Sequence, residues 1–255
     1  MRIVLRLFYT LWAYLTFIVL LVFVFFLHIA IVAFTRKNRV ERMYRIYRPW
    51  AYTWSFLNGV KIEVQGQEHI CKDQSYIFVS NHGSAADAVI IGAAMTNRYR
   101  PLGKVEVTEI PIMGYILKRA LVTVDRSSAE SRRQSMEKMR DLIRKNISVL
   151  ILPEGTRNRT GKPLQPFKEG AFRLAIEFQL PVVPMIILNT RKLFPNDFPL
   201  MNFSGLKCHF LKPVATVGMT EADIPMLKEQ VFIVMEKHII ENEDAFVELR
   251  EAQSH

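Results

Sequence analysis

From Leu7 to Phe34 the chain runs through 28 residues without Asp, Glu, Lys or Arg. As a helix this stretch is ~42 Å long, more than the ~30 Å hydrocarbon core of a bilayer, and it predicts a retained membrane anchor. A cleaved signal peptide fits less well, because its apolar region is about 7 to 15 residues and a small-x-small cleavage site should follow. Residues 38–57 change character: Arg39, Arg42, Arg45 and Arg48 are interleaved with Val40, Met43, Tyr44, Ile46 and Tyr47, and Trp50, Trp54 and Phe56 follow. This predicts a second, amphipathic helix suited to an anionic membrane surface, broken or kinked at Pro49. Hydropathy alone allows either a span or a two-helix hairpin dipping into one leaflet.

Beyond Gly59 the pattern shortens and alternates. Strand-type runs fall at Val60 to Val64, Tyr76 to Val79, Leu121 to Val124, Val149 to Leu152, Val182 to Leu188 and Lys207 to Leu211. Helix-type periodicity falls at Ala85 to Met95, Ala129 to Lys145, Glu169 to Phe178 and Glu221 to Glu241. The expected fold class is α/β, a mostly buried mixed sheet flanked by helices, with functional residues at strand ends. Residues 1–60 form the N-terminal anchor and 61–255 the α/β domain.

Charge changes this picture by orienting it. Arg2 and Arg6 precede the apolar helix, whereas Arg36, Lys37, Arg39, Arg42, Arg45 and Arg48 follow it, so the positive-inside bias places the domain on the cytosolic face. The net charge of +10 favours phosphate-bearing partners, and beside an anchor these are membrane phospholipids rather than nucleic acid. No helix-turn-helix, zinc-finger or ribonucleoprotein signature is present. Cys71 and Cys208 stand far apart and outside any ligand spacing, which points to neither a disulfide framework nor a metal site.

The candidate chemistry begins at Asn81-His82-Gly83-Ser84-Ala85-Ala86-Asp87, between a strand and a helix. Ser84 reads as an N-cap with Asp87 at the third helical position, from which its carboxylate can reach back to His82. A carboxylate on one imidazole nitrogen fixes the tautomer and leaves the other free to take a proton from a substrate hydroxyl. A simple capping box, with His82 a turn residue, accounts for the same spacing. Pro153-Glu154-Gly155-Thr156-Arg157 closes another strand. It is not a Walker motif, because Pro163 stands where a hydroxyl residue is required. Gly155 near Arg157 does allow the close backbone approach and forked donors that a phosphate monoester needs, and Lys104 offers a second cation. Asp125-Arg126 closes a third strand and by itself reads as an ordinary surface ion pair.

Together these blocks resemble the glycerolipid acyltransferase family. Asn81 to Asp87 meets its Asn-His-x-Ser-x-x-Asp block in full, and Leu121 to Arg126 resembles its apolar strand ending in Arg. Leu152 to Arg157 is similar to its Phe-Pro-Glu-Gly-Thr-Arg block with Leu for Phe, Pro166 to Gly170 is also family-like, and Pro181 to Pro184 matches its Pro-Val-Val-Pro strand. Ala120 and Thr123 depart from the usual Gly and Phe. The resemblance runs from about Tyr76 to Leu188 and implies a glycerol-3-phosphate acyltransferase-like fold. It further implies His82 as general base, Asp87 as its orienter, and Lys104, Arg126, Glu154, Gly155 and Arg157 as the acceptor-phosphate and glycerol site, with Asn81 and Ser84 supporting.

The expected reaction moves a fatty acyl group from acyl-CoA or acyl-carrier protein to the sn-2 hydroxyl of 1-acylglycerol-3-phosphate (lysophosphatidic acid), giving phosphatidic acid. It needs no cofactor and no covalent intermediate, in keeping with the lack of a Gly-x-Ser-x-Gly elbow. The oxyanion is expected on backbone amides near Gly83 and the helix that follows. Two alternatives stay open: an acyltransferase or transacylase for another lysophospholipid or a lyso-amino-acid lipid, and a non-catalytic lipid-binding protein of the membrane surface.

Overall fold

The computed structural model describes residues 2–35, 39–195, 200–244 and 246. Its first elements are two helices, α1 (Arg2–Phe34) and α2 (Arg39–Leu57). They pack antiparallel. The Trp12 indole donates to the Leu57 carbonyl at 2.9 Å, Trp54 to that of Ala13 at 3.1 Å, and farther along His28 Nε2 meets the Tyr47 hydroxyl at 3.0 Å. α1 also rests on the domain, where the Thr10 hydroxyl accepts from the Met201 amide at 2.9 Å and Phe25 meets Tyr115 edge-on. Its other face is bare, with Phe8, Phe23, Phe26 and Phe34 exposed. α1 is long and apolar enough to cross a bilayer, and an uncovered apolar face of this extent is a mark of membrane association. Arg36, Lys37 and Asn38, the start of the predicted basic segment, lie outside the described residues.

Pro49 does not break α2, which is continuous through it. The proline lies on the exposed side, so the carbonyl it leaves without a donor faces solvent rather than the core.

The domain then alternates strands and helices: β1 (Ile62–Gln65), β2 (Ile77–Ser80), α3 (Asp87–Ala94), β3 (Tyr99–Lys104), α4 (Met113–Ala120), β4 (Val122–Val124), α5 (Ala129–Arg144), β5 (Ser148–Ile151), α6 (Gly170–Glu177), β6 (Val182–Leu188), α7 (Thr190–Leu193), β7 (Leu206–Phe210) and α8 (Ile224–Asn242). The seven strands form one sheet in the order β1-β7-β6-β2-β5-β3-β4. Only β6 and β7 pair antiparallel; every other neighbour is parallel. The sheet is therefore mixed, as expected, and β6, β2, β5, β3 and β4 all end on the same edge.

Both faces of the central strands are covered, which is why β2, β5 and β6 read as unbroken apolar runs. Phe78, Leu150 and Val183 pack with Trp54, Ile90 and Ala93 under α2 and α3. Ile77, Val149 and Val182 point the other way, against Met139, Phe172, Leu227 and Met235 of α5, α6 and α8. The alternation follows from the two-residue repeat of a strand.

β3 escapes the sequence pattern because it contains Pro101 and Gly103, residues that argue against an interior strand. It is tolerated because β3 changes partners there: Tyr99 to Pro101 lie beside β5, and Leu102 to Lys104 beside β4. α4 is also absent from the expected elements; it follows Pro111 and a strained Ile112 with φ of 63°.

At the opposite sheet edge, where β1 and β7 end, a groove of about 410 Å³ is lined by His69, His209 and His238. His209 Nδ1 and His238 Nε2 are 2.7 Å apart. Burial lowers the pKa of both imidazoles, and for His209 the neighbouring His238 and Lys207 add to this while Glu63 opposes it; for His238, Glu241 opposes. The unfolded chain thus takes up these protons at higher pH than the folded one. Stability is expected to fall as pH drops below the unfolded imidazole value of about 6.5, and replacing both histidines with Gln should flatten that dependence in thermal unfolding between pH 7 and pH 5.

Candidate active site

β2 ends at Ser80, and the next residue extends it by other means. The Asn81 side chain donates from Nδ2 to the Ile187 carbonyl at 2.7 Å and accepts from the Ile187 amide at 2.8 Å, standing in for a backbone rung against β6. The chain leaves the sheet at His82 already locked in direction.

His82 is held at three points. Its amide donates to Glu154 Oε1 at 2.8 Å, its carbonyl accepts from the Asn158 amide at 2.8 Å, and its Nδ1 lies 2.6 Å from Asp87 Oδ2. An ionised carboxylate only accepts, so Nδ1 carries a proton, and in the neutral imidazole Nε2 then keeps its lone pair. Among the described residues Nε2 has no hydrogen-bond partner, and the ring is 26% exposed. This is the geometry of an oriented base with one side open to a reactant.

Asp87 is buried and accepts from the Gly83 amide at 2.9 Å and the Ser84 amide at 3.2 Å as well. The capping expectation needs correction here. α3 begins at Asp87 itself, its N-cap is Ala86 without a side-chain bond, and Asp87 is the first helical residue rather than the third. Ser84 instead donates to the Thr190 carbonyl at 3.0 Å and accepts from the Ala86 amide at 3.1 Å, tying the loop to α7. The Gly83 and Ser84 amides, expected near a developing oxyanion, are committed to Asp87.

Glu154 also differs from expectation. Rather than offering a free oxygen to a substrate, it is buried and spends Oε1 on the His82 amide and Oε2 on the Gln165 amide, the latter at 2.9 Å. Burial pushes its carboxyl up, opposed by those two amides and by the nearby charges of His82 and Arg191. Gly155 has φ of 77°, where a side chain is strained, and an added Cβ would sit 2.9 Å from Lys168 Cε and Nζ. Lys168 thus brings to this loop a cation that no spacing argument singled out. Arg157 is exposed and has no partner among the described residues.

Lys104 ends β3 and pairs with Glu106 Oε1 at 2.5 Å; both are about half exposed. Arg126 follows β4 and feels the charge of Glu106. These ends lie two and three strands from β2, roughly 10 and 14 Å along the sheet. An exposed ion pair such as Lys104–Glu106 is worth little and can change partner readily. Among the described residues no group of three or more His, Cys, Asp or Glu is placed to hold a metal ion.

The profile of a family described as Acyltransferase matches residues 61–188. The chain is 31% identical over 178 residues to the Homo sapiens protein named 1-acyl-sn-glycerol-3-phosphate acyltransferase alpha, covering 69% of this chain and 62% of that one. It is 38% identical over 167 residues to the 1-acyl-sn-glycerol-3-phosphate acyltransferase of Limnanthes douglasii, covering 65% and 58%. The chain thus spans about three fifths of the length of these curated relatives. The crystal structure of the 1-acyl-sn-glycerophosphate acyltransferase from Thermotoga maritima superposes with a TM-score of 0.76 at 24% identity, covering 94% of this chain and 97% of that one, and shares the fold.

Glu154→Gln keeps the shape but faces an amide donor with a second donor. A loss of about 1–3 kcal/mol in chemical unfolding is expected, together with a displaced His82 backbone. Unchanged stability would remove Glu154 from this bracing role.

Proposed function

The chain belongs to the acyltransferase family, and on that footing we propose that it transfers a fatty acyl group from a thioester to the sn-2 hydroxyl of 1-acylglycerol-3-phosphate, yielding phosphatidic acid. The observation that carries the reading is His82 Nδ1 at 2.6 Å from the buried Asp87 carboxylate, with Nε2 open at the strand ends. The names of the relatives support the acceptor. The uncovered face of α1 supports a lipid substrate met at a membrane, with the domain on the cytosolic side by the charge asymmetry of the helix flanks.

In this mechanism His82 Nε2 takes the proton of the sn-2 hydroxyl as its oxygen attacks the thioester carbonyl carbon. Asp87 stabilises the imidazolium that forms. Collapse of the tetrahedral intermediate breaks the carbon–sulfur bond, and the thiolate recovers the proton, leaving free CoA or carrier thiol and the ester. No group on the protein becomes acylated. Arg157, Lys104 and Arg126 act on the acceptor phosphate, an effect of orientation that raises the local concentration of the hydroxyl at the base. Gly155 permits close approach of the backbone there, and Glu154 serves the site by holding His82.

Purified protein supplied with acyl-CoA and acyl-carrier protein in parallel, against a panel of lyso-acceptors, is expected to release thiol fastest with 1-acylglycerol-3-phosphate. His82→Ala should reduce turnover by about 100- to 10,000-fold while leaving membrane association intact. Full turnover by that variant would refute the base assignment, and lipid binding without thiol release by the parent protein would refute the enzyme. Arg157→Ala should raise the acceptor KM selectively for phosphorylated acceptors.

A further inference from the structure

The matched family region ends at residue 188, and the side of the catalytic loop opposite Glu154 is built from residues beyond it. Three groups converge on Gly83: a Cβ placed there would fall 2.6 Å from Thr190 Oγ1, 3.4 Å from Arg191 Cγ and 3.7 Å from Asp87 Oδ1. α7 is therefore in contact with the very loop whose amides hold Asp87. Yet α7 has only four residues and starts from Asn189 in the left-handed region, at φ 66°, so it cannot hold its own position.

Its anchors come from the residues that follow α8. The Asn189 backbone acts favourably on the buried Glu243 carboxylate, and Asn189 Oδ1 accepts from the Asp244 amide at 3.3 Å. Arg191 Nη2 lies 3.6 Å from Glu243 Oε2, with its guanidinium 5.9 Å from the Phe246 ring centre. Lys192 Nζ reaches Asp244 Oδ2 at 3.1 Å.

Charge makes the arrangement more than a brace. Asp87, Glu154 and Glu243 are all buried, and Asp87 and Glu243 repel. Arg191 acts favourably on both Glu154 and Glu243. Arg191 Cγ and Asp87 Oδ1 both lie within 4 Å of the same point beside Gly83, which makes the guanidinium a rival to His82 for that carboxylate, because Arg forms the stronger forked pair. Glu243 occupies it.

We propose that Arg191 and Glu243 are a positioning pair for the His82–Asp87 dyad: Glu243 holds Arg191 and the α7 turn against Gly83, so that the Asp87 carboxylate remains with His82. This rests on the acyl-transfer reading for its kinetic consequence, though not for its structural one. Arg191 and Glu243 touch no reacting atom; they act through Gly83 and Asp87.

The test reads both consequences in the full chain in detergent or nanodiscs. Glu243→Gln is expected to lower kcat by about 10- to 100-fold with little change in acceptor KM, and to shift or broaden the downfield proton resonance of His82 Nδ1–H. Adding Arg191→Met to that variant removes the rival cation and should restore much of both the resonance and kcat. Wild-type kcat and resonance in Glu243→Gln would overturn the proposal. So would a raised acceptor KM at unchanged kcat in Arg191→Met, which would make Arg191 a substrate contact. Should Glu243→Gln fail to fold, Arg191→Lys, which keeps the charge without the fork, reports the same resonance and is expected to disturb it less than Arg191→Met. A wild-type protein that releases no thiol while the resonance responds as stated would refute the acyl-transfer reading and leave the positioning pair standing.

Discussion

The buried carboxylate of Asp87 is the interaction on which the candidate site depends. Taking an ionised carboxylate out of water costs several kcal/mol unless donors replace the water. Here the Gly83 and Ser84 amides and the His82 ring supply them, so the loop can close only in the one conformation that points all three inward. The orientation of the imidazole is therefore a by-product of satisfying a buried charge. Glu154 repeats the device one strand over, binding the His82 and Gln165 amides, and the two carboxylates clamp His82 by ring and backbone.

This clamp works because of the sheet. Five strands ending on one edge bring the loops after β2, β3, β4, β5 and β6 together, though they span more than eighty residues of sequence. Parallel pairing requires crossover helices on both faces, and those helices supply the two apolar layers that hold the strands rigid. Reversal at β7 and β1 sends the histidine-lined groove to the far edge, away from the dyad.

The helical pair α1 and α2, of which α1 is long and apolar enough to cross a bilayer, packs directly on this body. Trp54 and Ala51 belong to the same core as Phe78 and Leu150, so the apolar helical pair and the sheet share packing. The strand ends are thereby fixed relative to α1. Pro49 illustrates how tertiary context overrides a local rule: one missing helix bond on a solvent-facing side costs less than giving up the packing of α2 on α3.

What the residues disclosed unaided is what is written locally. A long uncharged run, strands buried on both faces, and a histidine five positions before an aspartate all declare themselves within a short window, because helix and strand periodicity record only neighbours along the chain. β6 was legible residue for residue; β3, carrying Pro101 and Gly103, was not, since its place depends on which strands flank it. The finer work of the site was decided by contacts between distant positions. His82 and Glu154 are 72 residues apart, and Ser84 and Thr190 are 106 apart. No local pattern distinguishes Glu154 as a backbone brace from Glu154 as a substrate ligand, or marks Arg191 and Glu243 at all. Only folding brings a buried carboxylate and its donors to one place, and the demand that each such group be paired is what assigns their roles.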